Sequence, residues 1–301
     1  MFKVISKASR LFVFYPVFSI LPIPLAYRLA SFFSPMERSF TKKYMDQWRR
    51  GLERCMNLGG AFKVDNVAGC VRQHLKMLSM ETLDSYMVPR LKPEQMTRLS
   101  QIEGLEHIKS ANAKGRGLII VTSHFCRLNM TAYTLGKFGI RNGILSQSVD
   151  NDNPYLDSLD RRFLTLKLRK YYKITGGPGL TLRDNPRKIL RALERNEIMV
   201  ILMDAYPDEV RNFFHVPFLG GVLKLPKGIA RISKRTGSPL VYSVVKPIDR
   251  WKVNIEIRPL LGIGEEAFYQ AVNELERDVK ELPCQWWQWA YMHSMWRKRV
   301  N

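Results

Sequence analysis

His124 carries more chemistry than any other residue of this chain. It follows the apolar run Gly117-Leu-Ile-Ile-Val-Thr-Ser123 and opens His124-Phe-Cys-Arg-Leu-Asn129. A run of that length, rich in β-branched residues and preceded by Gly115-Arg116-Gly117, predicts a buried strand. Open α/β sheets place their chemistry at the carboxyl ends of such strands. An imidazole there can take a proton from an alcohol near neutral pH, which few other side chains can do. Asn129 lies five residues on. A helix starting near Phe125 brings its side chain back toward the imidazole. A carboxylate is expected at that place, to hold the tautomer and stabilise an imidazolium. The Asn129 amide oxygen can accept a hydrogen bond but brings no charge. A lone histidine after a strand is also a common structural residue, so the surrounding elements must decide.

Those elements alternate. Residues 37–112 interleave charged and apolar positions at helical spacing, with breaks at Pro89 and Pro93 and no strand-like alternation. After the strand ending at His124, a helix continues over 130–138 and stops at Gly139. Residues 142–149 read as a strand, 150–154 as a loop, and 155–170 as a basic helix. A helix with proline in its first turn follows Asn185. The apolar run at 197–204 ends on Asp204, and a loop follows it. A helix over 227–235, strands over 239–245 and 251–259, and a helix over 265–282 complete the pattern. Strands alternating with helices predict an α/β fold: a three-layer mixed sheet flanked by helices. There is no internal repeat and no GxxxxGK phosphate loop.

Composition narrows the partners. The chain has 301 residues, 46% hydrophobic and 25% charged, which is ordinary for a globular protein, but its net charge of +21 is not. A surface that basic seeks polyanions, either nucleic acid or an anionic membrane. The stretch between Arg10 and Arg28 holds no charged residue, is rich in aromatics and is interrupted by Pro16, Pro22 and Pro24. Flanked by Lys3, Lys7, Arg10 and Arg28, it fits an interfacial or re-entrant anchor on an anionic leaflet better than a spanning helix. No recognition helix, zinc module or aromatic RNA motif supports nucleic acid. Cys55, Cys70, Cys126 and Cys284 are scattered without a CxxC pair, so reduced thiols in a cytosol-facing protein are expected, and no metal or cofactor is called for. Cys126, two residues from His124, is either a reactive thiol or a small buried residue.

Taken together, the motifs resemble those of the bacterial lipid A biosynthesis (late, secondary) acyltransferases, a branch of the lysophospholipid acyltransferase superfamily. The resemblance runs from Pro24-Leu-Ala-Tyr-Arg-Leu-Ala through Glu103-Gly-Leu-Glu-His, Gly115-Arg-Gly-Leu-Ile-Ile-Val-Thr-Ser-His-Phe, Arg191-Ala-Leu-Glu-Arg-Asn-Glu, Phe214-His-Val-Pro-Phe-Leu-Gly-Gly and Ala230-Arg-Ile-Ser-Lys-Arg-Thr-Gly to Leu282-Pro-Cys-Gln-Trp-Trp. It implies a glycerolipid acyltransferase-like α/β fold and an acyltransferase. It divides the chain into a membrane-associated hydrophobic segment at 1–35 and a single α/β domain at 36–301, of which 36–112 is a mainly helical lead-in. It implies an acyl carrier protein or acyl-CoA as donor, a lipid or glycolipid hydroxyl (or amine) as acceptor, and the cytoplasmic face of a bacterial inner membrane as location. His124 is then the general base. The family carries Asp or Glu four intervening residues after the histidine, where this chain has Asn129. The family's basic tail run also becomes Gln288-Trp-Ala-Tyr-Met here.

Acyl transfer from a thioester needs a base, positive charge for the oxyanion or for phosphate, and an apolar groove. His124 and Asn129 are the catalytic candidates. Arg127, Arg161, Arg162 and Asp204 are the substrate-binding candidates, Arg being suited to forked phosphate contacts. Asp204 is read first as a loop-ordering acid, with the role of substitute acid for His124 left open. A competing reading is a catalytically degenerate homologue, with Asn129 in place of the acid, that binds lipid or acyl carrier protein.

Overall fold

Apolar runs bounded by glycine, proline and amide residues become strands, and the amphipathic stretches between them become helices. The computed structural model describes residues 2–150, 156–205 and 211–299. Its strands are β1 (Ser100–Glu103), β2 (Leu118–Thr122), β3 (Asn142–Ser146), β4 (Gly176–Thr181), β5 (Ile198–Leu202), β6 (Phe213–Phe218), β7 (Gly221–Pro226), β8 (Leu240–Pro247), β9 (Val253–Pro259) and β10 (Trp296–Lys298). Seven form one sheet in the order β1-β9-β8-β2-β5-β3-β4, and β10-β7-β6 form a second. In the large sheet β8, β2, β5, β3 and β4 run parallel, β9 is antiparallel to β8, and β1 is parallel to β9. The result is a mixed, mostly parallel sheet flanked by helices. Strand β2 lies at its centre, and all five of its residues are buried, as a strand covered on both faces requires.

Several elements differ from the sequence expectation, each for a physical reason. The lead-in forms the helices Pro35–Gly59 and Val67–Arg90, but β1 follows them as a four-residue edge strand. Four residues are too few to show a period, and β1 exists through its pairing with β9. Strand β4, Gly-Gly-Pro-Gly-Leu-Thr, reads as a turn; it survives as a sheet edge, where proline is tolerated. The Phe213-to-Gly221 stretch closes as a β6–β7 hairpin over Leu219 and Gly220, with φ of 51° and 72°. Both central residues at positive φ is the geometry whose twist suits a two-residue hairpin. The helix expected from Phe125 begins instead at Met130. The loop expected at 150–154 and the one after Asp204 fall largely outside the described residues.

The N-terminal segment folds as short helical pieces, Phe2–Ser9, a π-turn at Arg10–Phe14, Tyr15–Phe18 and Ile23–Phe33. Among the described residues no helix is long and apolar enough to cross a membrane. One face of the segment joins the core through Tyr15, Ala26, Tyr27 and Ala30. The other leaves Ile5, Val13, Phe14, Val17, Ile20, Leu25, Phe32 and Phe33 exposed.

The expectation of four reduced thiols is corrected. Cys70, on the Val67–Arg90 helix, and Cys284, in the turn after the Glu265–Glu281 helix, form a disulfide with Cα atoms 4.9 Å apart. The pairing joins residues 214 apart in sequence, so no local spacing could announce it. Cys55 and Cys126 are free and buried.

Candidate active site

Two strand ends build the site. In the parallel β2–β5 pair, Thr122 is in register with Leu202. Each strand then runs two residues further, to His124 and to Asp204, so the two side chains meet at one height above the sheet's carboxyl edge. His124 Nδ1 lies 2.8 Å from Asp204 Oδ1. The carboxylate is fully buried while the imidazole keeps 25% of its side chain exposed, so one end of the pair is dry and the other open. Asp204 also accepts the His124 backbone N–H at 3.0 Å on both oxygens and the Trp286 indole N–H at 3.0 Å. A carboxylate can only accept, so the shared proton sits on Nδ1 and Nε2 is left with its lone pair. A base held by a buried, hydrogen-bonded acid can take a proton from a hydroxyl and carry the positive charge that follows.

The turn that follows His124 is bent. Cys126 has φ of 50°, in the left-handed region that costs a non-glycine residue roughly 1 kcal/mol. A segment from the other end of the chain holds it there. The Cys126 N–H donates to Gln285 O, Trp287 Nε1 donates to Cys126 O, and the Trp287 N–H donates to His124 O, all at 2.9 Å. Phe125 and Trp286 form the bridge between these antiparallel pieces. Burial pushes the Cys126 thiol up to about 12, so it is a packing residue rather than a nucleophile near neutral pH.

That C-terminal strap is itself anchored. Trp48 Nε1 donates to Trp286 O at 2.9 Å and the Tyr44 hydroxyl donates to Trp287 O at 3.1 Å. His74, fully buried, contacts Cys284 O through Nδ1 at 2.9 Å and the Tyr44 hydroxyl through Nε2 at 3.0 Å. Its ring packs 4.6 Å from that of Trp48. Burial lowers the His74 imidazole to about 3, so it is neutral and donates from Nδ1 to the carbonyl.

The remaining candidates fall in different places. Asn129 ends up beside the Met130–Lys137 helix start, with its Nδ2 donating to Glu81 Oε1 at 2.5 Å. Glu81 is paired with Lys167 at 2.5 Å. Because the helix starts one residue after Asn129, the return spacing that would aim its side chain at the imidazole does not arise. Arg127 is buried and grips Asp84, through Nε at 2.7 Å and NH2 at 2.5 Å. It also donates to Trp251 O at 2.6 Å and to the Tyr27 hydroxyl at 3.0 Å. Coulombic attraction to Asp84 outweighs burial and raises Arg127, so the guanidinium stays charged inside the protein. Arg162 is exposed, with its guanidinium 5.0 Å from the Phe12 ring centroid, and Arg161 is half-buried on the same helix, Ser158–Thr175. The structure thus brings His124 and Asp204 together, while Asn129, Arg127 and Arg162 are engaged with other partners.

Glu81 and Asp84 carry no sequence signal of their own, and Trp286 and Gln288 stand out in the sequence only as members of the aromatic tail, with nothing to place them beside His124. The signal that was present lay in the two strands: each ends on a titratable residue, and adjacent parallel strands bring such ends together. Among the described residues no group of three or more His, Cys, Asp or Glu could hold a metal.

Comparison with known proteins identifies the family of the chain. The family described as "Bacterial lipid A biosynthesis acyltransferase" matches residues 9–298. The chain is similar to the lipid A biosynthesis lauroyltransferase of Escherichia coli (strain K12), at 22% identity over 179 residues, covering 60% of this chain and 54% of the relative. The chain therefore spans about half the length of that relative. A family match across nearly every element described above, with a histidine–acid pair at the carboxyl edge of the sheet, leads to one assignment: the chain belongs to the bacterial lipid A biosynthesis acyltransferase family.

Proposed function

We propose that this protein is a membrane-associated acyltransferase that moves a fatty acyl group from a thioester donor, acyl carrier protein or acyl-CoA, to a hydroxyl of a lipid or glycolipid. The observation that carries the reading is the 2.8 Å contact between His124 Nδ1 and the buried Asp204 carboxylate. In the proposed step His124 Nε2 takes the proton of the acceptor hydroxyl. The oxygen attacks the thioester carbonyl, an O–C bond forms, the C–S bond breaks, and the imidazolium returns its proton to the leaving thiolate. Asp204 holds the imidazole and offsets its transient charge, the role the sequence reading assigned first to position 129. Asn129 is left to order the turn through Glu81.

Two surfaces support the partners. Half of the large exposed apolar side chains, eight of sixteen among the described residues, lie within residues 5–33. Apolar exposure concentrated in that way on a protein of net charge +21 suits the cytoplasmic face of an anionic bilayer. A cleft of about 390 Å³ lined by Gln47, Arg50, Gly51, Arg54 and His293 offers two guanidinium groups to a phosphorylated ligand. Residues 1–35 would then be the membrane-facing segment of the α/β domain at 36–301.

The test is acyl transfer in membranes from a radiolabelled acyl carrier protein thioester to a lipid extract, comparing the wild type with His124→Ala. A labelled lipid lost in the variant supports the reading. Product formation that survives His124→Ala overturns it.

A further inference from the structure

Gln288 touches both halves of the histidine–acid pair from outside either strand. It is buried, and its Nε2 donates to the Asp204 backbone carbonyl at 2.8 Å and lies 2.9 Å from His124 Nδ1. The amide cannot be reversed without setting its oxygen against the Asp204 carbonyl oxygen, so the nitrogen is the atom that faces the pair. Among the described residues its own oxygen has no partner.

Each contact has a consequence for the base. Asp204 is the second residue beyond β5, where the sheet ladder no longer fixes the backbone, and the Gln288 amide secures its carbonyl there. The same amide fills the space beside Nδ1, so the ring cannot swing off Asp204 without displacing a buried group. The strap fixes Gln288 in turn, since just before it Trp286 donates to the Asp204 carboxylate and Trp287 to the turn after His124, and Cys284 is tied to the Val67–Arg90 helix.

We infer that Gln288 is a positioning residue for acyl transfer, holding His124 and Asp204 in register so that Nε2 faces the acceptor hydroxyl. It exchanges no proton with substrate. Its effect is on the fraction of molecules whose base is aimed, so it enters kcat rather than the affinity for either substrate. The inference rests on the acyl-transfer reading above.

The experiment compares wild type, Gln288→Met, Gln288→Ala and His124→Ala in the membrane acyl-transfer assay. The ¹⁵N shifts of the histidine ring nitrogens are recorded in parallel; the chain has only five histidines, and the His124→Ala spectrum assigns the signal. Gln288→Met keeps the volume and removes the donor, so the fold is retained. The expected result is a fall in kcat of about 10- to 100-fold for both Gln288 variants, with KM for the thioester unchanged within about two-fold. The His124 ring signals shift from their wild-type positions as the ring loses its single orientation on Asp204. Wild-type kcat and unchanged His124 ring signals in Gln288→Met overturn the inference, as does a loss confined to KM or one matched by loss of the melting transition. If His124→Ala itself retains transfer, the underlying reading fails instead, and the two failures are told apart in one experiment.

Discussion

Asn129→Asp, which restores the acid that the resemblance places after the histidine, is expected to harm this protein rather than improve it. Asn129 Nδ2 lies 2.5 Å from Glu81 Oε1, so the substitution sets a second carboxyl against an existing one. Two unit charges ~3 Å apart repel by about 5 kcal/mol at an effective dielectric of ~20. The alternative is to protonate the new carboxyl, which costs about 4 kcal/mol at neutral pH for an acid of pKa ~3.9. The cheaper route sets the ceiling. Lys167, 2.5 Å from Glu81, and the partial exposure of Asn129 reduce the expected loss to about 2–3 kcal/mol. The sign follows from the raised carboxyl. Its proton is held more tightly in the folded state, so the penalty is absent at low pH and grows as pH rises above the unfolded value. Urea unfolding of wild type and variant, run at about pH 5 and about pH 7.5, reads the effect, and acyl transfer is assayed alongside. A variant that is equally stable at both pH values and faster than wild type would refute the reasoning. It would mean that position 129, not Asp204, supplies the orienting acid.

Asp204→Asn should lower kcat by about 10³–10⁴ with KM little changed, because an amide at Nδ1 favours the wrong tautomer; a loss below about tenfold in the transfer assay counts against the pairing. Arg127→Ala leaves Asp84 buried without its guanidinium partner and should cost about 3–5 kcal/mol in urea unfolding, while Lys63→Ala, at a largely exposed side chain, stays within about 0.5 kcal/mol. Equal effects would mean that Arg127 is not internal. His74, lowered by burial to about 3 against an ordinary value near 6.5, contributes stability that is complete above pH ~6.5 and declines as pH falls toward 3. That decline amounts to about 2 kcal/mol by pH ~5, and His74→Gln should remove this part of the acid dependence. Identical urea midpoint shifts between about pH 7 and about pH 5 in the two proteins would exclude it.

The parts of the fold legible in the sequence are those with a period. Strand β2 and the Glu265–Glu281 helix announce themselves through apolar runs and 3.6-residue spacing. Strand β4 is hidden because Gly-Gly-Pro-Gly takes its conformation from its neighbour, and β1 because four residues hold no pattern. The site was half legible. His124 and Asp204 each stand out as polar ends of apolar runs, but their meeting depends on which strands are adjacent, and β2 and β5 are 80 residues apart at that point. Arg127 misleads because a cation near a candidate histidine looks the same in sequence whether it faces phosphate or, as here, Asp84. Asn129 misleads because one residue in the start of a helix changes where its side chain goes.

The strap also has a meaning in time. The ribosome delivers His124 first, Asp204 eighty residues later and Gln288 eighty-four residues after that. Every strand of the large sheet has emerged before Cys284 appears. A nascent chain can therefore assemble its sheet and its apolar N-terminal face while the turn after His124 is still unframed. On the proposed reading His124 acquires its full support only once Gln288 and the strap before it have been made, so a nascent chain that stops short of them holds the pair without its frame. On the proposed reading, transfer begins only after the fold that confines the base is in place.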